Sequence, residues 1–169
     1  MNRATRRAIA RTGHAPIDVA QQTSLRKAQC LMKIATVLEL NKPTTDAQCD
    51  GLMLELHSCF DALKNGSSDP ELFNRLASSL NTALVLAEAI GQEVVDAMLL
   101  AHDALQHCAA LRDRHGRYGF TGQGIQDVRE ALDLYSQIVR LSTPLQINAA
   151  VDDGHRRALK QMRDNEVPA

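Results

Sequence analysis

The sequence predicts an all-α protein, and composition, spacing and length together support this fold class. Its apolar residues are mainly Leu, Ala, Val, Ile and Met, whereas aromatic residues make up 3% of the chain and Trp is absent. Helix formers therefore outnumber strand formers. Apolar positions recur every three or four residues, and 169 residues with 44% hydrophobic content can enclose one core. We expect a bundle of about five to six helices around a long, alanine-rich central helix, with a basic N-terminal arm.

The charges are distributed unevenly along the chain. Counting Lys and Arg against Asp and Glu gives +6 for residues 1–42, −8 for residues 43–111 and +1 for residues 112–169. The first segment opens with four arginines, namely Arg3, Arg6, Arg7 and Arg11. We predict a flexible basic arm at residues 1–16, a single helical domain at residues 17–165 and a tail at residues 166–169. The arm is expected to contact an acidic surface of this protein or an external polyanion.

Local start and stop signals place the first helices. Apolar spacing predicts a helix over residues 24–40, and Pro43 follows it. Thr45 or Asp46 is expected to cap a second helix, which Asn65-Gly66 closes. The sequence Asp69-Pro70-Glu71 then combines an N-cap, a first-turn proline and an acid near the positive helix end, and so predicts the start of the next helix.

Two seven-residue series of apolar positions follow this start. One runs from Phe73 and the other from Leu76, and both stay in phase through Gly91 up to Leu111. We favour one continuous helix over a break at Gly91, because Gln92 and Glu93 supply no good N-cap. Such a helix is about 58 Å long and would overhang a domain about 40 Å across. A homodimer is therefore expected to cover a seam made of Ala87, Ile90, Val94, Ala97, Ala101 and Ala104.

Residues 112–124 break the pattern with four glycines. Apolar spacing from Ile125 to Val139 predicts the next helix, and Thr143-Pro144 starts the last one, with Gly154 as a candidate interruption. The loop carries cations beside aromatic residues, and its candidate binding residues are Arg112, Arg114, Arg117, Tyr118 and Phe120. Guanidinium groups can bind phosphate and aromatic rings can stack on bases, which suggests nucleic-acid contact. The alternative, which we favour, is a mobile turn that exposes Arg114 and Arg117 while the aromatics pack on the core.

No residue set in the sequence predicts a cofactor or a metal ion. His102, Asp103, His107 and Cys108 lie within two helical turns, but their spacing matches no helical metal motif such as H-E-x-x-H. Nucleophile elbows, kinase motifs, Rossmann fingerprints and P-loops are also absent from the sequence. The pair Asp152-Asp153 is followed by Arg156-Arg157, a spacing typical of ion pairs on a helix surface.

Apolar runs in this sequence are shorter than the ~20 residues of a membrane span, and none follows the N-terminal arginines as in a secretory signal. The four cysteines (Cys30, Cys49, Cys59 and Cys108) form no C-x-x-C pair, which argues against a disulfide framework or a zinc knuckle. We expect a cytoplasmic protein without membrane contact. An Arg-rich start without acids would also suit a mitochondrial transit peptide, although Ser is scarce there.

These features rank three functional hypotheses. The first is a non-enzymatic, homo-oligomeric helical protein that binds another macromolecule as an accessory or regulatory factor. Its Arg-rich start resembles those of many small bacterial and phage proteins. The second is a nucleic-acid-binding protein that uses the arginine arm and the loop over residues 112–124. The third is a metal-dependent helical enzyme.

Overall fold

The computed structural model describes residues 40–166, together with Gln29 and Met32. Residues 40–166 contain five helices and no strand: α1 (Asp46–Lys64), α2 (Pro70–Ala87), α3 (Gln92–His115), α4 (Gly122–Leu141) and α5 (Pro144–Glu166). These helices belong to one compact unit that begins at Asn41. The predicted all-α bundle is therefore confirmed. The arm at residues 1–16 lies outside the described residues, as does the predicted helix at residues 24–40 except for Gln29, Met32 and Leu40, which are helical.

Side-chain caps begin α1 and α2 at the predicted positions. The Thr45 hydroxyl accepts a hydrogen bond from Gln48 N–H at 3.3 Å, and the Gln48 side chain accepts one from Thr45 N–H at 3.0 Å. This reciprocal pair is a capping box, so Thr45 rather than Asp46 caps α1. The Asp69 carboxylate accepts from Glu71 N–H at 2.9 Å, with Pro70 as the first residue of α2.

α2 and α3 are two helices, so the favoured continuous helix through Gly91 is wrong. α2 ends at Ala87, and Gly91 N–H donates to the Ala87 carbonyl at 3.1 Å in the turn that follows. α3 has no side-chain cap at its start, and the Gly91 carbonyl accepts its first backbone hydrogen bonds. The physical reason is that glycine weakens a helix interior by about 1 kcal/mol, and that a break lets both apolar faces pack within one domain. α2 and α3 do pack against each other.

α2 is the central helix of the described bundle, because it packs against α1, α3, α4 and α5. Its inward residues Leu76, Leu80, Ala83 and Ala87 are fully buried. They belong to one core cluster to which α1, α3 and α4 also contribute large apolar side chains. α2 thus occupies the central position predicted for the long helix, but it is about half the predicted length.

Three features differ from those predicted. α4 begins at Gly122 rather than at Ile125, because the Thr121 hydroxyl accepts a hydrogen bond from Gly124 N–H at 3.0 Å and caps the helix there. α3 continues past Arg112 to His115, because the first residue that readily adopts a left-handed backbone is Gly116, at φ 76°. Its N–H donates to the Arg112 carbonyl at 2.7 Å and closes the helix. α5 runs through Gly154 without interruption, because this glycine is buried against Asn81 of α2 and packing supports the helix there.

The phenol of Tyr135 in α4 should ionise only in strongly alkaline solution. Its side chain is 2% exposed, and burial raises the pKa of Tyr135 to about 12. Because the folded state holds this proton above the unfolded-state pKa of about 10, stability should fall by about 2–3 kcal/mol as pH rises between these two values. A Tyr118→Phe variant leaves Tyr135 as the single tyrosine, so its ultraviolet phenolate absorbance reports this pKa alone. A midpoint near that of free tyrosine, with the helices still folded, would contradict the buried placement.

Candidate interaction surfaces

The first candidate site is a set of exposed basic residues in the last turn of α3 and directly after Gly116. It comprises Arg112, Arg114, His115 and Arg117, all exposed, and is called the basic edge below. The loop that follows spans only residues 116–121 before α4 begins. The predicted exposure of Arg114 and Arg117 is confirmed. The other predicted cations, Arg3, Arg6, Arg7 and Arg11, lie outside the described residues.

Tyr118 fixes the basic edge to the body of the bundle. Its ring stacks on Phe73 of α2 with centroids 4.9 Å apart and planes 4° from parallel. Its backbone N–H donates to the Ser67 carbonyl at 2.9 Å, which joins the loop to the turn between α1 and α2. Only 5% of Tyr118 is exposed, so its ring is occupied by the core rather than open to a base.

Phe120 is also packed inward. Its ring centroid lies 5.3 Å from that of Phe60 in α1, with the planes tilted by 59°. Half-buried Phe120 belongs to the residues packed against the core cluster. The expected packing of both aromatics on the core is therefore confirmed, and the loop offers charge to a ligand rather than stacking surfaces.

The cations of the basic edge are only weakly engaged. Arg112 lies 5.7 Å from the Tyr118 ring centroid, and its closest carboxylate oxygen, on the neighbouring Asp113, is 3.8 Å away. Arg114 and Arg117 form no ion pair within the described part of the chain. The stem of Arg117 crosses the α1–α2 turn, with its Cδ 3.6 Å from the position that a Cβ on Gly66 would occupy. Beside it lies a shallow cavity of about 250 Å³, lined by Leu111, His115, Arg117, Tyr118 and Gly119.

The predicted oligomer seam lies largely inside the bundle. Ala87 and Ala101 are fully buried and Ala104 is 7% exposed, while Val94 and Ala97 are half-buried. Ile90 alone of the six is well exposed, at 53%. The seven-residue spacing of apolar positions therefore results mainly from the faces that α2 and α3 bury within the same domain. A charged residue at Ala101 would unfold a monomer and a dimer alike.

A second candidate surface, which the sequence did not reveal, is an apolar groove where α2 and α4 end and α5 begins. Its cavity measures about 430 Å³, and its lining includes Leu86, Ala89, Ile90, Ile138, Leu141 and Ala150. Leu141 is 83% exposed at the rim. The signal in the sequence was Leu141 itself, a large apolar residue at the last position of a helix, directly before the polar Ser142 and Thr143.

The histidines considered as metal ligands have other partners. His102 joins α3 to α2: Nδ1 lies 2.8 Å from the Met98 carbonyl oxygen, and Nε2 lies 2.6 Å from Asn81 Oδ1. Nδ1 of His107 lies 2.9 Å from the Asp103 carbonyl oxygen, and Cys108 is fully buried. Among the residues that the structure describes, no three His, Cys, Asp or Glu side chains are grouped to hold a metal ion. The metal-dependent hypothesis thus has no site in this part of the chain.

Of the predicted surface ion pairs of α5, the pair of Asp153 with Arg157 is present, whereas Arg156 pairs with Asp153 and donates to the backbone carbonyl of Asp152. Asp153 pairs with Arg156 at 3.0 Å and with Arg157 at 2.7 Å. Arg157 also binds both carboxylate oxygens of Glu88, just beyond the end of α2. The hydrogen bond from Arg157 lowers the pKa of Glu88. This network ties α5 to the α2–α3 turn beside the apolar groove.

Comparisons with known protein families, curated proteins and solved structures find no match for this chain. In the part of the chain that the structure describes, none of the helices combines the length and apolar character needed to cross a membrane. The two surfaces themselves therefore carry the functional argument.

Proposed function

We propose that this chain is a non-enzymatic helical interaction protein, which forms a homo-oligomer and serves as an accessory or regulatory factor by binding another macromolecule. The apolar groove carries the homo-oligomer in this proposal. Soluble proteins that act as monomers rarely leave large contiguous apolar patches in water. Here the exposed side chains of Ile90 and Leu141 flank a cavity whose walls are mainly aliphatic.

A second copy of the chain is the occupant that we infer for the groove. Leu141 projects from the rim while the cavity lies beside it on the same end of the bundle. In a two-fold dimer, each copy could therefore place its Leu141 in the groove of the other. Such isologous contacts between identical patches are the commonest way in which soluble proteins form closed oligomers.

The proposal includes a cytoplasmic location. Cys49, Cys59 and Cys108 are buried as free thiols in the described bundle. Thiols that remain unpaired suit a reducing compartment.

Light scattering should report a mass about twice the 18.5 kDa of the chain, and Leu141→Glu should halve it. The substitution places a charge in the proposed contact, where it would lose water without gaining a partner. Leu54→Glu is the matched control, because Leu54 is 74% exposed on α1 and away from the groove lining. It should leave the mass unchanged.

A monomeric mass for the unmodified chain at micromolar concentration would overturn the homo-oligomer. An equal loss of mass in both glutamate variants would overturn the groove as its contact. Circular dichroism of each variant shows whether the helices remain folded, so that dissociation is separated from unfolding.

A further inference from the structure

We propose that the basic edge binds the phosphate backbone of nucleic acid without reading its bases. This inference is independent of the proposed oligomer, since the basic edge lies at the α3–α4 loop and the groove at the α4–α5 junction. It rests on two exposed guanidinium groups without carboxylate partners in the described residues, that of Arg114 in the last turn of α3 and that of Arg117 in the loop that follows.

Arg114 is carried by the end of α3, and the loop backbone that carries Arg117 is held by hydrogen bonds. Gly116 N–H donates a hydrogen bond to the Arg112 carbonyl, and Tyr118 N–H donates one to the Ser67 carbonyl, so the backbone is held on both sides of Arg117. The Tyr118 ring is stacked on Phe73 as well. A surface that is already ordered before binding loses less conformational entropy when a ligand arrives.

The residue type favours phosphate as the ligand. Every cationic Lys or Arg in residues 112–124 is Arg, and so is every one in residues 1–16. Arg presents a planar fork of donors that matches phosphate oxygens in pairs, whereas Lys acts as a point charge. A chain of regularly repeated phosphates can engage several such groups at once.

The packing of the aromatic residues determines the kind of recognition. Proteins that stack on bases need exposed ring faces, but Tyr118 is 5% exposed and stacked on Phe73. Contacts limited to phosphates position a protein on nucleic acid and carry no sequence information directly. Binding at the basic edge is therefore expected to be indifferent to base sequence and sensitive to salt.

Cations in the last turn of a helix also stabilise it by interacting with its carbonyl end. This structural role concerns Arg112 and Arg114 and predicts a change in thermal stability alone. Nucleic-acid binding predicts in addition a change in the salt dependence of affinity. The two roles are thus separated by measuring both quantities on the same variants.

The test compares two triple variants of the full chain with equal loss of charge. The first carries Arg112→Gln, Arg114→Gln and Arg117→Gln. The control carries Arg75→Gln, Arg140→Gln and Arg156→Gln, three arginines that are paired with carboxylates. Fluorescence anisotropy of labelled single-stranded DNA, at several salt concentrations between about 50 and 200 mM, gives the slope of log affinity against log salt.

The unmodified chain should bind. The slope of the basic-edge variant should be smaller in magnitude by about 2, because three phosphate contacts are lost and each contributes ~0.7 to the slope. The control should keep the slope. Absence of binding by the unmodified chain at low salt overturns the proposal. So does an equal loss in both variants, which would reflect net charge alone, or binding of a polyglutamate chain in place of DNA. A further variant, with Arg3, Arg6, Arg7 and Arg11 replaced by Gln, tests the N-terminal arm. If the slope falls in this arm variant but is unchanged in the basic-edge variant, the proposal is also overturned.

Discussion

Leu80→Ala should lower the free energy of unfolding by about 3–4 kcal/mol, within the range usual for buried leucines. Leu80 is fully buried in α2, the helix that packs against all the other helices of the described bundle. The truncation removes apolar contacts on several sides, and a central helix held by four neighbours can relax only partly into the cavity. Urea unfolding followed by circular dichroism measures the difference.

Leu54→Ala provides the matched comparison for this prediction. The same atoms are removed from a leucine that is 74% exposed on α1, so the change should be within about 0.5 kcal/mol. If Leu80→Ala cost no more than Leu54→Ala, the placement of α2 at the centre of the bundle would be incorrect.

Helix starts could be predicted from the sequence because their causes are local. Thr45 and Asp69 each bond a backbone N–H two or three residues ahead, and no distant contact is needed for that geometry. Pro70 likewise acts within its own turn. These residues mark the starts of α1 and α2, where the structure agrees with the prediction, whereas α3 begins without a side-chain cap and its start was not predicted.

The break at Gly91 could not be predicted in the same way, because the seven-residue spacing of apolar residues continues unchanged across it. Seven-residue spacing requires only that Ala87 and Val94 face apolar surroundings. A single long helix in a dimer and two helices in one domain both meet that requirement. The choice depends on how much apolar surface each arrangement buries, which is a property of the whole fold rather than of the turn.

The candidate surfaces likewise could be predicted only where their causes are local in the sequence. The sequence identified the cations of the basic edge, since Arg114 and Arg117 follow from composition alone. It left open whether Tyr118 would be free, because this depends on the ring of Phe73, 45 residues earlier in the chain. The apolar groove was missed, because three separate helix ends contribute to it, and Leu141 at the end of α4 does not by itself show that they meet.

Gly124→Val should cost about 2–4 kcal/mol of folding free energy, because α3 and α4 approach each other closely at this glycine. A Cβ at Gly124 would stand 3.1 Å from the Cβ of Ala104 and 3.2 Å from the hydroxyl oxygen of Thr121. The same hydroxyl caps α4 by accepting from Gly124 N–H at 3.0 Å. A branched side chain would therefore separate the two helices and disturb the cap together. Thermal unfolding measures the loss.

Gly122→Val is the control, since it makes the same substitution in the first turn of the same helix. Nothing lies within 4 Å of the position that a Cβ on Gly122 would take. Any effect of valine on helix propensity is shared by the two variants, and the contacts with Ala104 and with the Thr121 hydroxyl distinguish them. Equal melting temperatures would mean that α3 and α4 are further apart than the structure places them. A second substitution, Ala104→Gly, removes the opposing methyl group and should restore part of the stability lost in Gly124→Val.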